Sequence, residues 1–103
     1  MTGTDRDPPP PEVALAAPWP NPARSAVHLR FALPRPLEAT LRVHDVHGRL
    51  VRRLMQGPLA AGWHGATWDG RDEAGRTAPP GMYLARLEAA GTTARTRRFV
   101  RIE

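Results

Sequence analysis

The 103 residues carry 15 basic and 10 acidic side chains and no cysteine, which bounds the chain to one domain with a modest core and excludes disulfides and thiol chemistry. Its 12 prolines and 9 glycines argue against a helical bundle and for short strands joined by tight turns. All 15 basic residues are arginine and none is lysine, so the net charge of +5 reads as the imprint of a GC-rich genome and argues against a nucleic-acid-binding patch.

Residues 1–12 (MTGTDRDPPPPE) read as a disordered, proline-rich linker, because four consecutive prolines join neither a helix nor a sheet interior. This stretch has no apolar core and is not a secretory signal. No apolar run approaches the ~18–20 residues of a membrane span. From residue 13 the apolar period is two. Val13–Ala16 is a short strand stopped by Pro18, Pro20 and Pro22. In VHLRFAL, Val27, Leu29, Phe31 and Leu33 share one face, and His28, Arg30 and Ala32 share the other, the alternation of a half-buried strand. Residues 39–46 repeat it, with Leu41 and Val43 inward and Thr40, Arg42 and His44 outward. DVHGR (45–49) is a turn. LVRRLM (50–55) reads as a strand, with a short helix competing because Leu50, Val51 and Leu54 also fit a helical face. QGPLAAG (56–62) is a loop, and Trp63–Trp68 is a further strand. Residues 82–90 and 94–102 pair through a Gly91-Thr92 turn. No internal repeat stands out. Strands at this spacing predict an all-β sandwich of about seven antiparallel strands over residues 13–103. Its core is expected to hold Val27, Leu29, Phe31, Leu41, Val43, Trp68, Tyr83 and Leu87.

Candidate chemistry is sparse. His44 and His47 lie three apart across a turn with no third ligand at zinc-like spacing, which argues against a metal. Ser25, the only serine, lacks the glycine-flanked elbow of a nucleophile. His64 at a strand start suits a backbone hydrogen bond. The loop WDGRDEAGR (68–76) gathers Asp69, Asp72 and Glu73, but their spacing fits a calcium loop poorly, and a surface turn beside Arg71 and Arg76 offers no cleft to shift a carboxyl pKa. The simpler reading is a structural corner: Asp69 accepts backbone N–H bonds, Gly70 and Gly75 supply special conformations, and Trp68 anchors the turn. Arg97, Arg98 and Arg101 on the closing strand are expected to form a solvated face that discourages edge-to-edge pairing. No catalytic residue, cofactor or small-molecule substrate is assigned.

The order of the motifs carries more than any one of them. Pro20-Asn21-Pro22 precedes VHLRFAL and then VHDVHGRLVR (43–52). Gly62-Trp63-His64, Trp68-Asp69-Gly70-Arg71-Asp72, Gly75-Arg76 and Gly81-Met82-Tyr83 follow, before the arginine-rich final strand. This succession resembles the FlgD-like immunoglobulin-like domain, first known from the flagellar hook-capping protein and also used as the type A C-terminal sorting domain of type IX secretion cargo. The resemblance implies that the sandwich is immunoglobulin-like and serves as a non-enzymatic module that directs secretion and surface attachment of an exported bacterial protein, located outside the cell or at its surface. The alternative it implies is a structural interaction module, as in the hook cap or an extracellular spacer. Its partners would be the secretion machinery or neighbouring domains. Pro20, Asn21, Pro22, Asp45, Gly48, Gly62, His64, Trp68, Asp69, Gly70, Gly75, Gly81 and Tyr83 match the family pattern as fold-defining residues, and Arg97, Arg98 and Arg101 are the candidates for recognition.

Overall fold

A computed structural model describes residues 10–103. Of the linker expected over residues 1–12, residues 1–9 lie outside the described residues. Seven strands follow: β1 (Ala14–Leu15), β2 (Val27–Leu33), β3 (Leu37–Asp45), β4 (Leu50–Leu59), β5 (Gly62–Trp68), β6 (Gly81–Ala89) and β7 (Arg95–Arg101). They form a three-stranded sheet, β1-β2-β5, and a four-stranded sheet, β4-β3-β6-β7. All pairings are antiparallel. The fold is the all-β sandwich that the alternation predicts.

The alternation works because each strand turns one side chain in two toward the facing sheet. Val27, Leu29, Phe31, Leu41, Val43, Trp68, Tyr83 and Leu87 are all buried, as expected, and Phe99 joins them from β7. Trp68, Tyr83 and Phe99 meet as an aromatic cluster, with ring centroids 5.2, 5.8 and 6.1 Å apart. Ala32 departs from the expectation. It belongs to the outward parity yet is fully buried, because it sits between Ala14 and Trp63 in the register and its methyl is small enough for those neighbours to cover.

The expected loop at 56–62 is mostly strand. β4 continues through Gly57 and Pro58 to Leu59 and leaves only Ala60 and Ala61 to turn the chain into β5. Proline is tolerated there because β4 is an edge strand and a missing N–H on the open side breaks no ladder bond. The helix-like spacing of Val51 and Leu54 also has a cause. Leu41 pairs with Met55 while Arg42 pairs with Arg53, and Val43 pairs with Arg52 while His44 pairs with Leu50. Leu54 and Val51 are therefore the extra residues of two bulges. Each bulge shifts the phase of the alternation, and both extra side chains pack on the core.

The segment between β1 and β2 straps the end of the sandwich. Ala23 donates its N–H to the Val100 carbonyl (2.8 Å) and accepts from the Ile102 N–H (2.8 Å), a parallel bridge onto the end of β7. The Asn21 side-chain oxygen accepts from the Val100 N–H at 2.9 Å. Asn21 thus supplies an acceptor that a neighbouring strand would otherwise provide.

Candidate functional site

The residues singled out in the sequence concentrate at the end of the sandwich where β3, β5 and β7 finish. Two turns there are built alike. Asp45 Oδ1 accepts the backbone N–H groups of His47 (2.9 Å) and Arg49 (3.0 Å), and Asp72 Oδ1 accepts those of Ala74 and Arg76 (both 2.9 Å). In each turn the glycine N–H returns to the aspartate carbonyl at 3.0 Å, Gly48 to Asp45 and Gly75 to Asp72. In each, the arginine side chain pairs with the second carboxylate oxygen, at 2.9 Å for Arg49 and 3.4 Å for Arg76. Both glycines hold positive φ, +83° and +84°, which an L side chain rarely adopts. The shared signal is Asp-x-x-Gly-Arg, DVHGR and DEAGR, a short repeat that a segment-by-segment reading passes over. The pattern of same residue types at the same spacing was available in the sequence.

These carboxylates are committed to the fold. Burial opposes ionisation of Asp45, but the Arg49 backbone N–H, its guanidinium and the His47 N–H outweigh it and hold the carboxyl below its ordinary value. The Arg76 N–H leads the same effect on Asp72, against a smaller cost of burial. Asp69 Oδ1 accepts the Arg71 N–H at 2.9 Å, and the Arg53 N–H donates to Glu73 at 2.6 Å. Asp69 and Glu73 also face Arg52 at 3.7 and 3.9 Å. Among the described residues no group of three or more His, Cys, Asp or Glu is placed to hold a metal ion.

Behind the turns, Trp68 is fully buried and donates its indole N–H to the Arg71 carbonyl at 2.8 Å. Tyr83 donates its hydroxyl to the Pro79 carbonyl at 2.5 Å, and burial pushes its phenol above its ordinary pKa. Arg101 corrects the expected solvated face. It is 7% exposed, with its guanidinium 5.4 Å above the Trp68 ring and donating to the carbonyls of Ser25 (3.0 Å) and Ala78 (3.4 Å). The cause is parity: Arg101 lies two residues beyond Phe99 and shares its inward face. Gly70 completes the fit, since a Cβ there would lie 2.9 Å from the Arg101 guanidinium carbon. Arg97 and Arg98 are exposed but on opposite faces, and Arg97 is tied to the Leu15 carbonyl at 2.8 Å. The three arginines therefore do not form one surface.

The remaining marked residues serve locally. Pro20, Asn21 and Pro22 lie on the exposed strap. Gly62, at φ +110°, opens β5, and Gly81, at φ +148°, opens β6. His64 stacks on Phe31 with centroids 5.2 Å apart and reaches the Ala60 carbonyl at 2.8 Å, the backbone bond expected for it. His44 approaches the Gly48 carbonyl at 3.2 Å, within the first turn. Between the twin turns lies a cleft of about 570 Å³ lined by Val46, Leu50, Pro79, Pro80, Met82 and Tyr83. Val46, Leu50 and Met82 are three of the four exposed large apolar side chains among the described residues. The end of the domain offers a recess in which these apolar side chains are interleaved with Asp45, His47, Arg49, Asp72 and Arg76, the two carboxylates being taken up by backbone N–H groups and arginines.

Known proteins share this architecture. Over 53 residues the chain is 42% identical to the basal-body rod modification protein FlgD of Salmonella typhimurium, a match covering 52% of this chain and 23% of that protein. The chain thus spans less than a quarter of that relative's length. Dimeric latent PorU of Porphyromonas gingivalis contains a similar fold, with a TM-score of 0.71 and 22% identity over 87% of this chain and 9% of PorU. PorZ of the same organism, described as an essential surface component of the type-IX secretion system, aligns with a TM-score of 0.57 and 23% identity over 88% of this chain and 11% of its own. The profile of the family described as the FlgD Ig-like domain matches residues 22–93. With two sheets, twin turns and strap all contained in or adjoining that span, the chain belongs to the FlgD Ig-like domain family.

Proposed function

We propose that this domain is a non-enzymatic docking module of an exported bacterial protein, and that its folded surface is read as a sorting signal by a type IX secretion machine. One observation carries the non-enzymatic part: the polar side chains of the marked end spend their hydrogen bonds on the domain's own backbone. Asp45, Asp72, Trp68, Tyr83 and Arg101 each hold a turn or strap in place. A fold of this kind forming a small part of PorZ supports the sorting part, as does the motif order in the sequence. The expected location is the cell surface or beyond it. Fusing the whole chain behind a reporter with its own export signal, in a type IX-competent bacterium, should carry the reporter to the surface. Deleting the chain from Ala94 onward should leave the reporter in the periplasm, because β7 is both the closing strand and the strap's anchor. A fusion that is folded and stable yet stays periplasmic in cognate hosts overturns the sorting reading.

A second reading, a structural module of the hook-cap kind, is favoured by the 42% identity to FlgD. Replacing the matched segment of the Salmonella protein with this one and scoring motility tests it. Restored motility supports the structural reading, and a stable but non-motile chimera counts against it.

A further inference from the structure

The two sheets are unequal, and the difference leaves a vacant position. The four-stranded sheet ends on β4 at the side where the three-stranded sheet ends on β5, since the two are joined by the tight Ala60–Ala61 turn. On the opposite side β1 lies beside β7, tied by the Arg97 bond to the Leu15 carbonyl. A fourth strand beside β5 would lie opposite β4. We infer that the open edge of β5 accepts an extended segment of a partner polypeptide, with apolar residues at alternate positions and acidic residues between them. This goes beyond the sorting role and does not depend on it.

The backbone shows which groups are open. His28 exchanges bonds with Trp19 (2.7 and 3.1 Å), and the Arg30 carbonyl accepts from the Ala16 N–H (2.9 Å). Residues 28 and 30 of β2 therefore direct their backbone groups away from β5, and alternation gives residues 27, 29, 31 and 33 to it. Their register partners are Trp68, Ala66, His64 and Gly62. The N–H and C=O groups of Trp63, Gly65 and Thr67 consequently point to the open edge, and among the described residues no backbone group meets them.

The other edges carry devices that discourage strand addition. β4 has two bulges, Pro58, Arg52 and Arg53. β7 is rich in arginine and strapped by Asn21 and Ala23. β1 is two residues long. β5 runs seven residues, GWHGATW, without a charge, a proline or a bulge. Its neighbourhood describes the occupant. Val51, Leu54, Met55 and Ala66 pack on the core but stay half-exposed, so apolar side chains pointing inward from an added strand would complete their burial. On the outer face the Arg30 guanidinium lies 4.5 Å above the ring of Trp63, a β5 residue, and has no carboxylate partner among the described residues. An acidic outward residue on the added strand would meet it. A second copy of β5 supplies neither the apolar alternation nor the carboxylate.

The probe is an acetylated eight-residue peptide of alternating valine and glutamate, titrated into the full chain by fluorescence anisotropy. Saturable binding is expected, at least about tenfold weaker when lysine replaces glutamate. Thr67→Pro removes the outward N–H and, on the exposed face, the hydroxyl that lies 3.2 Å from His28 Nδ1, but no backbone bond to β2, so it should keep an unfolding midpoint close to the parent's and lose at least about tenfold in affinity. Independently of any variant, the peptide should slow amide exchange at Gly65 and Thr67 by at least about tenfold while leaving His64 and Ala66, already bonded to β2, unchanged. Absence of binding at millimolar peptide overturns the proposal, and so does undiminished binding to Thr67→Pro or protection without this parity. Self-association of the parent that Thr67→Pro abolishes would assign the edge to a second copy and overturn the proposal equally.

Discussion

Replacing Trp68 by alanine tests the packing logic most directly. The indole is fully buried between the sheets, against Tyr83 and Phe99 at 5.2 and 5.8 Å, and lies beneath the Arg101 guanidinium. Truncating a buried Trp costs about 3–5 kcal/mol, the value rising where the surroundings cannot collapse into the space. Two features place this site near the upper end. Both cavity walls are hydrogen-bonded strands, and the Arg71 carbonyl loses its 2.8 Å donor, a term of about 1 kcal/mol. Against a typical total stability of about 5–15 kcal/mol, a loss of about 5 should lower the urea midpoint by more than about 1.5 M at an m-value of about 1–3 kcal/mol/M. Urea titration followed by far-UV circular dichroism measures it. Trp68→Phe retains most of the ring and removes the indole donor, so it should cost about 1–2 kcal/mol. A Trp68→Ala loss below about 1.5 kcal/mol at unchanged m, or equal losses for the two variants, refutes the reasoning.

Gly70 and Gly75 share φ +84°, but a Cβ meets open space at Gly75 and the Arg101 guanidinium at Gly70. Gly75→Ala should therefore cost about 1 kcal/mol for the backbone alone and Gly70→Ala measurably more, by urea titration; equal costs refute the contact. Arg98→Gln should leave the unfolding midpoint almost unchanged, whereas Arg101→Gln should lower it by several degrees, because it leaves the Ser25 and Ala78 carbonyls without their donor. Asp45 and Asp72 have folded pKa values below their ordinary 3.8, so their stabilisation is present above that value and is lost as pH falls through the folded values. An Asp45→Asn, Asp72→Asn double variant should flatten the acid limb of a stability–pH profile below about pH 4; an unchanged limb counts against the turns. With the loop carboxylates committed to N–H donors and arginines, unfolding midpoints in millimolar calcium and in chelator should coincide, and a large calcium-dependent rise would contradict this assignment.

Local chemistry made much of this molecule legible. The period of two in VHLRFAL placed Val27, Leu29, Phe31 and Leu33 inside, because strand side chains alternate whatever the strand pairs with. Asp45 with Gly48 announced a turn, because an aspartate bonding its own backbone and a glycine at positive φ need no distant partner. The rest depended on residues far apart in the chain. Two bulges against β3 turned a helix-like apolar pattern in 50–55 into a strand, and only the pairing register reveals a bulge. Arg101 looked like part of a charged surface, and its burial required carbonyls from Ser25 and Ala78 and a ring from Trp68 to converge on it. Asn21 bonds a strand 79 positions away. The vacancy beside β5 is of the same kind, since an open edge exists only once the other strands have taken their places. Propensity and parity are properties of neighbouring residues and can be read in order, whereas the partner of a buried charge or a strand edge is set by the closure of the whole fold.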